Sequence, residues 1–456
     1  MTTSRKEISE FIKAKIHRDF YFNKYLDLPT IIKNYEEVEQ VFTASQYLAC
    51  ISVHIAHLHK IEYLYGSDIY NKMLSSVTEL LKNLKKETFR KDDIFVVDLV
   101  EVDTFIIFLS APRNSKTQIL DHLEEIAERV RIYLEQEIFR LFYPYLKEYA
   151  RPNIGFALVI KNPMINNMRL IMQLVSNSKK MGEFLSGKQD YLSRYALQKI
   201  IIEGSISTVF QPIVDLSSLE VIGYEALSRG PEDSELASPV LLFILASEYG
   251  LSFELDRLCR RKSFEASRQL TTDKKIFVNT LTMTIHDPEF RGAYLRELLE
   301  DLKIKPENVV FEISEKLAID NYDLFRHAMQ EYSDIGIVHA SDDIGTGHSD
   351  LERIMELNPG FMKIDISFVR GIDKSYIKQE IVKAIVTLAK NINSLIIAEG
   401  IETLEEYNKL KELKVPYGQG FLFGRPSENL CNLSEDFCTM LSVPNSLNNK
   451  KKKKKP

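Results

Sequence analysis

Phe361-Met-Lys-Ile-Asp365 and Leu395-Ile-Ile-Ala-Glu399 are short apolar runs that each close on a carboxylate, with an amphipathic stretch of chain between them. Runs this short and this apolar read as strands buried on both faces, and two parallel neighbours need a connection long enough to hold a helix. The rhythm extends in both directions, through Thr208 to Val214, Val221 to Glu225, Ile276 to Asn279, Val309 to Ile313, Gly336 to His339, Phe361 to Ile364, Leu395 to Ala398 and a last run near Tyr417. Such alternation predicts the α/β class, with a C-terminal (β/α)8 TIM-like barrel preceded by a smaller α/β domain. A doubly wound open sheet would want a glycine-rich turn after its first strand, and the sequence has none.

Upstream of the barrel the pattern is less regular. A helical lead-in is expected over 1–40, on Ile8, Phe11, Ile12 and Ile16, then a smaller domain over 41–190, the barrel over 191–443 and a disordered lysine-rich tail over 444–456. Within the smaller domain the pattern predicts an apolar segment around Leu48 to Ile55, a helix around Ile69 to Leu84, a hairpin pairing Ile94 to Leu99 with Phe105 to Leu109, and a long helix from Thr117 to about Tyr143.

The 456 residues exceed one ordinary core, and 45% hydrophobic with 27% charged residues is a mix that folds. The N-terminus is charged where a signal peptide would be apolar, and runs such as Val240 to Ala246 are too short to span a bilayer, so a cytoplasmic protein with no membrane span is expected. Cys50, Cys259, Cys431 and Cys438 form no CxxC pair, which argues against a disulfide framework or a zinc knuckle. Net charge is −6 despite Lys450 to Lys455, so the body is acidic and no nucleic acid polymer is expected as a partner.

Barrel enzymes build their sites at the C-terminal ends of the strands. Here those ends carry Glu225, Asn279, Glu312, Asp342 with Asp343, Lys363, Glu399 and Gln419. Singly, each reads as a helix cap or a surface charge. Together, the carboxylates would repel and raise one another's pKa unless cations shared the site. Oxygen donors without cysteine or histidine suit Mg2+ or Mn2+, and adjacent aspartates suit two ions.

These residues also carry a resemblance. Gly223-Tyr-Glu-Ala-Leu-Ser-Arg-Gly-Pro231 resembles the signature of EAL-type cyclic di-GMP phosphodiesterases, and the likeness continues through Phe210-Gln-Pro-Ile213, Phe277-Val-Asn279, Phe311-Glu-Ile-Ser-Glu315, Asp342-Asp-Ile-Gly-Thr-Gly347, Met362-Lys-Ile-Asp365, Ala398-Glu-Gly-Ile-Glu402 and Gly418-Gln-Gly-Phe-Leu-Phe-Gly-Arg-Pro426. It implies hydrolysis of cyclic di-GMP to the linear dinucleotide pGpG by a homodimer formed through this domain. Glu225, Asn279, Glu312 and Asp342 would hold one metal, and Asp342, Asp343 and Glu399 the second. Lys363 would orient and help deprotonate the attacking water, Gln419 would support metal-bound solvent, and Glu315 would brace the loop after Asp343. Arg229 would clamp a phosphate; Gln211, Leu227, Asp365 and Glu402 would also line the substrate. The loop departs from the family pattern at Ile344, His348 and Asp350.

The first domain resembles a degenerate diguanylate cyclase (GGDEF) domain, through Gly66-Ser-Asp-Ile-Tyr-Asn-Lys-Met-Leu74, Asp93-Ile94 and Asn153-Ile-Gly155. Its hairpin tip reads Glu101-Val-Asp-Thr-Phe105, without the glycines that let backbone approach a nucleotide, so no cyclase activity is expected. His54, His57 and His59 form either a metal cluster or a packed set. The other readings of the chain are a catalytically idle cyclic di-GMP receptor and a different Mg2+-dependent barrel enzyme.

Overall fold

The computed structural model describes residues 22–23, 26–98, 103–110, 119–270, 273–313, 322–344, 354, 356–430 and 433. The chain divides into two compact units, Met1–Ala196 and Leu197–Pro456.

In the first unit, β1 (Phe22–Asn23) and β2 (Leu28–Pro29) form a small antiparallel pair. A four-stranded antiparallel sheet follows, in the order β4-β5-β3-β6, from β3 (Tyr47–His54), β4 (Ile94–Val97), β5 (Thr104–Leu109) and β6 (Asn153–Ile160). Side chains alternate across the sheet. Ile51 and Val53 of β3 enter a core with the helices Ser67–Thr88 and Ile119–Leu146, while Leu48 and Cys50 enter one with Val38, Phe42 and Leu174. The expectation of helix throughout 1–40 is corrected over its described part. Asp27 takes a left-handed φ of 50° and Pro29 ends β2, so helix begins only at Tyr35–Ser45. Ile8 to Ile16, Glu101 and the lysine tail lie outside the described residues.

The second unit is a closed barrel of β7 (Ser207–Asp215), β8 (Val221–Arg229), β9 (Lys275–Thr280), β10 (Val309–Ile313), β11 (Val338–Ile344), β12 (Phe361–Ile364), β13 (Leu395–Ala398) and β14 (Tyr417–Gly418). Each of the eight predicted runs holds a strand, although the one predicted over Gly336 to His339 begins only at Val338 and continues to Ile344. One expectation needs correction: β7 runs antiparallel to both β8 and β14, so the barrel does not begin with a β-α-β unit. The link from Asp215 to Val221 is too short for a crossover. It is a tight turn in which Asp215 accepts from the Ser217 and Ser218 N–H groups and Leu219 adopts a φ of 62°.

Alternation along the strands separates the wall from the interior. Met362, Ile364, Ile396 and Ala398 face outward onto helices, as do Ile276, Val278, Val309 and Phe311. Ile213, Phe277, Val310, Ala340, Phe361 and Ile397 fill the interior, with Tyr417 against them. This apolar plug is the floor of the site. No helix among the described residues is long and apolar enough to cross a membrane.

Candidate active site at the acidic rim of the barrel

The pleat fixes what lies above that floor. Two residues beyond each plug position toward the C-terminal mouth, the strands carry Asn279, Glu312, Asp342, Lys363, Glu399 and Gln419. On antiparallel β7 the step runs backwards, from Ile213 to Gln211, and Gln211 pairs in register with Glu225 of β8. One polar layer thus rests on one apolar layer around the whole barrel, which is why the functional residues end their runs.

Lys363 is its centre. Its Nζ lies 2.6 Å from Glu399 Oε1, 2.9 Å from Glu312 Oε1, 3.2 Å from Asp342 Oδ1 and 3.6 Å from Glu225 Oε1, and the side chain is 1% exposed. Glu225 also accepts from Asn279 Nδ2 at 3.0 Å and from Gln419 Nε2 at 2.6 Å. The Gln419 amide donates to Gln211 Oε1 at 2.9 Å, and Gln211 Nε2 donates to the Gly424 carbonyl at 3.1 Å.

One ammonium cannot neutralise four carboxylates. Burial opposes ionisation of Glu225, yet Lys363 and the Gln419 and Asn279 amides hold its carboxyl below the usual range. Glu312 has no such amides, and burial pushes it well above that range. Burial likewise pushes Glu399 up to about 8 against the pull of Lys363. Burial disfavours charge on Lys363, but Asp342, Glu225, Glu312 and Glu399 raise its pKa well above the ordinary value, so it is a charged donor here.

Glu312 Oε2 and Gln419 Oε1 are buried without a hydrogen-bond partner, while Glu312 Oε1 and Asp342 Oδ1, also buried, face the Lys363 ammonium. Orphaned buried acceptors on an all-oxygen donor set are what a hard divalent cation would satisfy, so the residues fit such an ion. Among the described residues no three carboxylate, thiolate or imidazole groups close on one point, and Lys363 lies among the acids. The β11–β12 register shifts between Ser341 and Ile344, which puts Asp342 at an irregular step. The Asp343 side chain, Glu315, His348 and Asp350 lie outside the described residues.

The predicted substrate contacts are arranged around the mouth. Leu227 and Arg229 follow Glu225 at two-residue steps on β8. Arg229 is half-buried and donates to the Ser228 carbonyl at 2.8 Å; burial lowers its pKa, Glu225 opposing. Asp365, two residues past Lys363, accepts from the Ser367 N–H at 2.8 Å as a helix cap. Glu402 pairs with Arg370 at 2.7 Å. In the first unit His54 Nδ1 sits 2.9 Å from Thr104 Oγ1, and no metal cluster forms with His57 and His59 among the described residues. Cys50 is buried, its thiol pushed up to about 12 by burial.

Sequence reasoning missed Arg370 and Glu406. Thr403-Leu-Glu-Glu406 is legible as a capping box, but its reach to a second loop, described below, is not.

An eight-stranded barrel whose mouth gathers four acids about a buried lysine defines the class of the second unit. The chain belongs to the EAL domain family, whose model matches residues 194–426, just over half of its length. It is 32% identical over 452 residues to the cyclic di-GMP phosphodiesterase PdeA of Borreliella burgdorferi, covering 92% of this chain and 63% of that protein. An uncharacterized protein of Synechocystis is 26% identical over 436 residues, with 91% and 60% covered. The chain thus spans less than two thirds of either relative. A standalone EAL protein from Vibrio cholerae O395, solved in its c-di-GMP bound form, is 27% identical, with 51% of this chain and 97% of that chain covered at a TM-score of 0.46.

Proposed function

We propose that the chain hydrolyses cyclic di-GMP to pGpG with two divalent cations, Mg2+ or Mn2+. The observation that supports this best is the polar layer itself: every described family position at the mouth is filled, and the acceptors left orphaned there are the ones a cation needs. Glu225, Asn279, Glu312 and Asp342 would hold one ion, and Asp342, Asp343 and Glu399 the other. When bound, such ions lower the pKa of water and stabilise charge on a leaving oxygen.

The chain's own residues do the rest. Arg229 offers a planar fork of donors to a phosphate. Lys363 donates to the attacking water and orients it; once cations share the acid charge, its own pKa falls toward that of a base. Gln419, fixed by Gln211 and Glu225, holds solvent beside them. Gln211, Leu227, Asp365 and Glu402 line the nucleotide. Glu315 supports the loop after Asp343. We read the unit as a homodimer through its barrel domain and as cytoplasmic, and the first unit as a degenerate GGDEF-like regulatory domain without cyclase chemistry.

The second reading is an idle receptor, favoured by the one observation that the acids are closed on Lys363. Purified protein incubated with cyclic di-GMP and Mg2+ or Mn2+ separates the two: pGpG is expected, and intact but bound nucleotide with both metals would establish the receptor.

A further inference from the structure

The loop after β12 carries Asp365 and Arg370, and the loop after β13 carries Glu399 and Glu402, so the substrate mouth depends on how these two loops sit against each other. Three contacts join them. Gly400 has a φ of 68° and lies so close to the first loop that a Cβ on it would stand 2.3 Å from Ile366 Cγ1. Arg370 Nη2 donates to Glu402 Oε1 at 2.7 Å on the solvent side. Beneath both, the Glu406 carboxylate, 4% exposed, takes three backbone N–H groups. Its Oε2 accepts from Glu402 at 3.0 Å and Thr403 at 3.1 Å, closing the capping box of the helix Leu404–Glu412, while its Oε1 reaches across to the Gly371 N–H at 2.8 Å.

A capping box needs only one oxygen of the N3 side chain, since glutamine serves as well as glutamate. Here the second is spent on a different loop. Burying a carboxylate is costly unless its lone pairs are satisfied, and the Gly371 N–H is what satisfies this one. We propose that Glu406 is a positioning residue, whose carboxylate locks the loop bearing Asp365 and Arg370 to the loop bearing Glu399 and Glu402 and so sets the width of the nucleotide mouth. Its catalytic consequence rests on the hydrolase reading above; the lock itself does not.

The amide isostere isolates the lock. A glutamine has one accepting oxygen, and turning it toward the two N–H groups of Glu402 and Thr403 keeps the helix cap while setting an NH2 against the Gly371 N–H. Glu406→Gln therefore cuts the cross-loop tie alone, whereas Thr403→Ala cuts the cap alone.

Two readouts on the full chain test this: amide exchange in the segment containing Gly371, and kcat/KM for cyclic di-GMP. Glu406→Gln is expected to speed exchange there and to lower kcat/KM by at least about tenfold, since small misplacements of binding groups cost that much or more. Thr403→Ala is expected to lower the melting temperature with kcat/KM unchanged. If Glu406→Gln does not fold, Arg370→Ala, which cuts the solvent-side tie, must produce the kinetic loss. Unchanged exchange at Gly371 in Glu406→Gln, or an equal kinetic loss in Thr403→Ala, overturns the proposal. A wild-type protein that leaves cyclic di-GMP intact refutes the hydrolase reading, and exchange alone then decides the lock.

Discussion

Lys363 is the residue on which the site turns, because its one positive charge is shared among four acids. Lys363→Met keeps much of the volume and removes the donor. Turnover is expected to fall about a hundredfold, in the range of a lost proton-transfer group, with nucleotide affinity much less affected; an equal loss of binding, measured by calorimetric titration, would make Lys363 a substrate anchor. His339, on the outer face of β11, makes a different case. It is 5% exposed, its Nε2 lies 3.1 Å from the Met329 carbonyl, and burial lowers its pKa while that carbonyl raises it. The unfolded chain takes up a proton near about pH 6.5, which the folded chain refuses until lower pH. Unfolded therefore binds more protons in that window, and stability is retained above it and lost as pH falls through it. His339→Leu should flatten the acid limb of chemical denaturation measured from pH 7 to 5; an unaltered slope would show that His339 is not its source.

Strands were the most legible elements, since every predicted barrel run holds a strand and Asn279, Glu312, Asp342, Lys363, Glu399 and Gln419 each stand two positions past an apolar plug residue. What the pattern did not convey is direction. β7 has the same composition whether parallel or antiparallel, and only the short Asp215 to Val221 link distinguishes the two. The described part of the lead-in was misread because helical periodicity further upstream outweighed a single Pro29 and the left-handed Asp27. Contacts between loops, such as Glu406 to Gly371, have no local signature at all. One glycine is fixed by the wall itself: a Cβ on Gly223 of β8 would stand 2.5 Å from the Lys275 carbonyl of β9. Gly223→Ala should push these strands apart at the step below Glu225 and Asn279, at a cost of about 1–3 kcal/mol for an overpacked core. Denaturant titration and cation binding should both weaken; retention of full cation affinity would show that the rim tolerates movement of its wall.

Among the described residues, the clusters around Ile51 and Leu48 draw on residues before Ala196, and those of the barrel wall draw on residues after Leu197. Scanning calorimetry should resolve two transitions. Mg2+ is expected to raise one by several degrees through binding to the native state, and Glu225→Ala to abolish that shift and leave the other transition in place; movement of both in parallel would show one cooperative body. Barrel closure has a further consequence, for the order in which the chain can fold as it is made. β7 is the first strand of the barrel, yet its second edge is completed by Tyr417 and Gly418, and Phe210 exchanges backbone hydrogen bonds with Ser427. A nascent chain emerging from the ribosome must therefore hold seven strands as an open sheet, with β7 unpaired on one side, until Tyr417 and Gly418 appear. Unpaired strand edges template aggregation. A chain released before Tyr417 would carry nearly all of the barrel's core and no means of sealing it, so premature termination in this stretch should yield insoluble product and leave no partly active barrel.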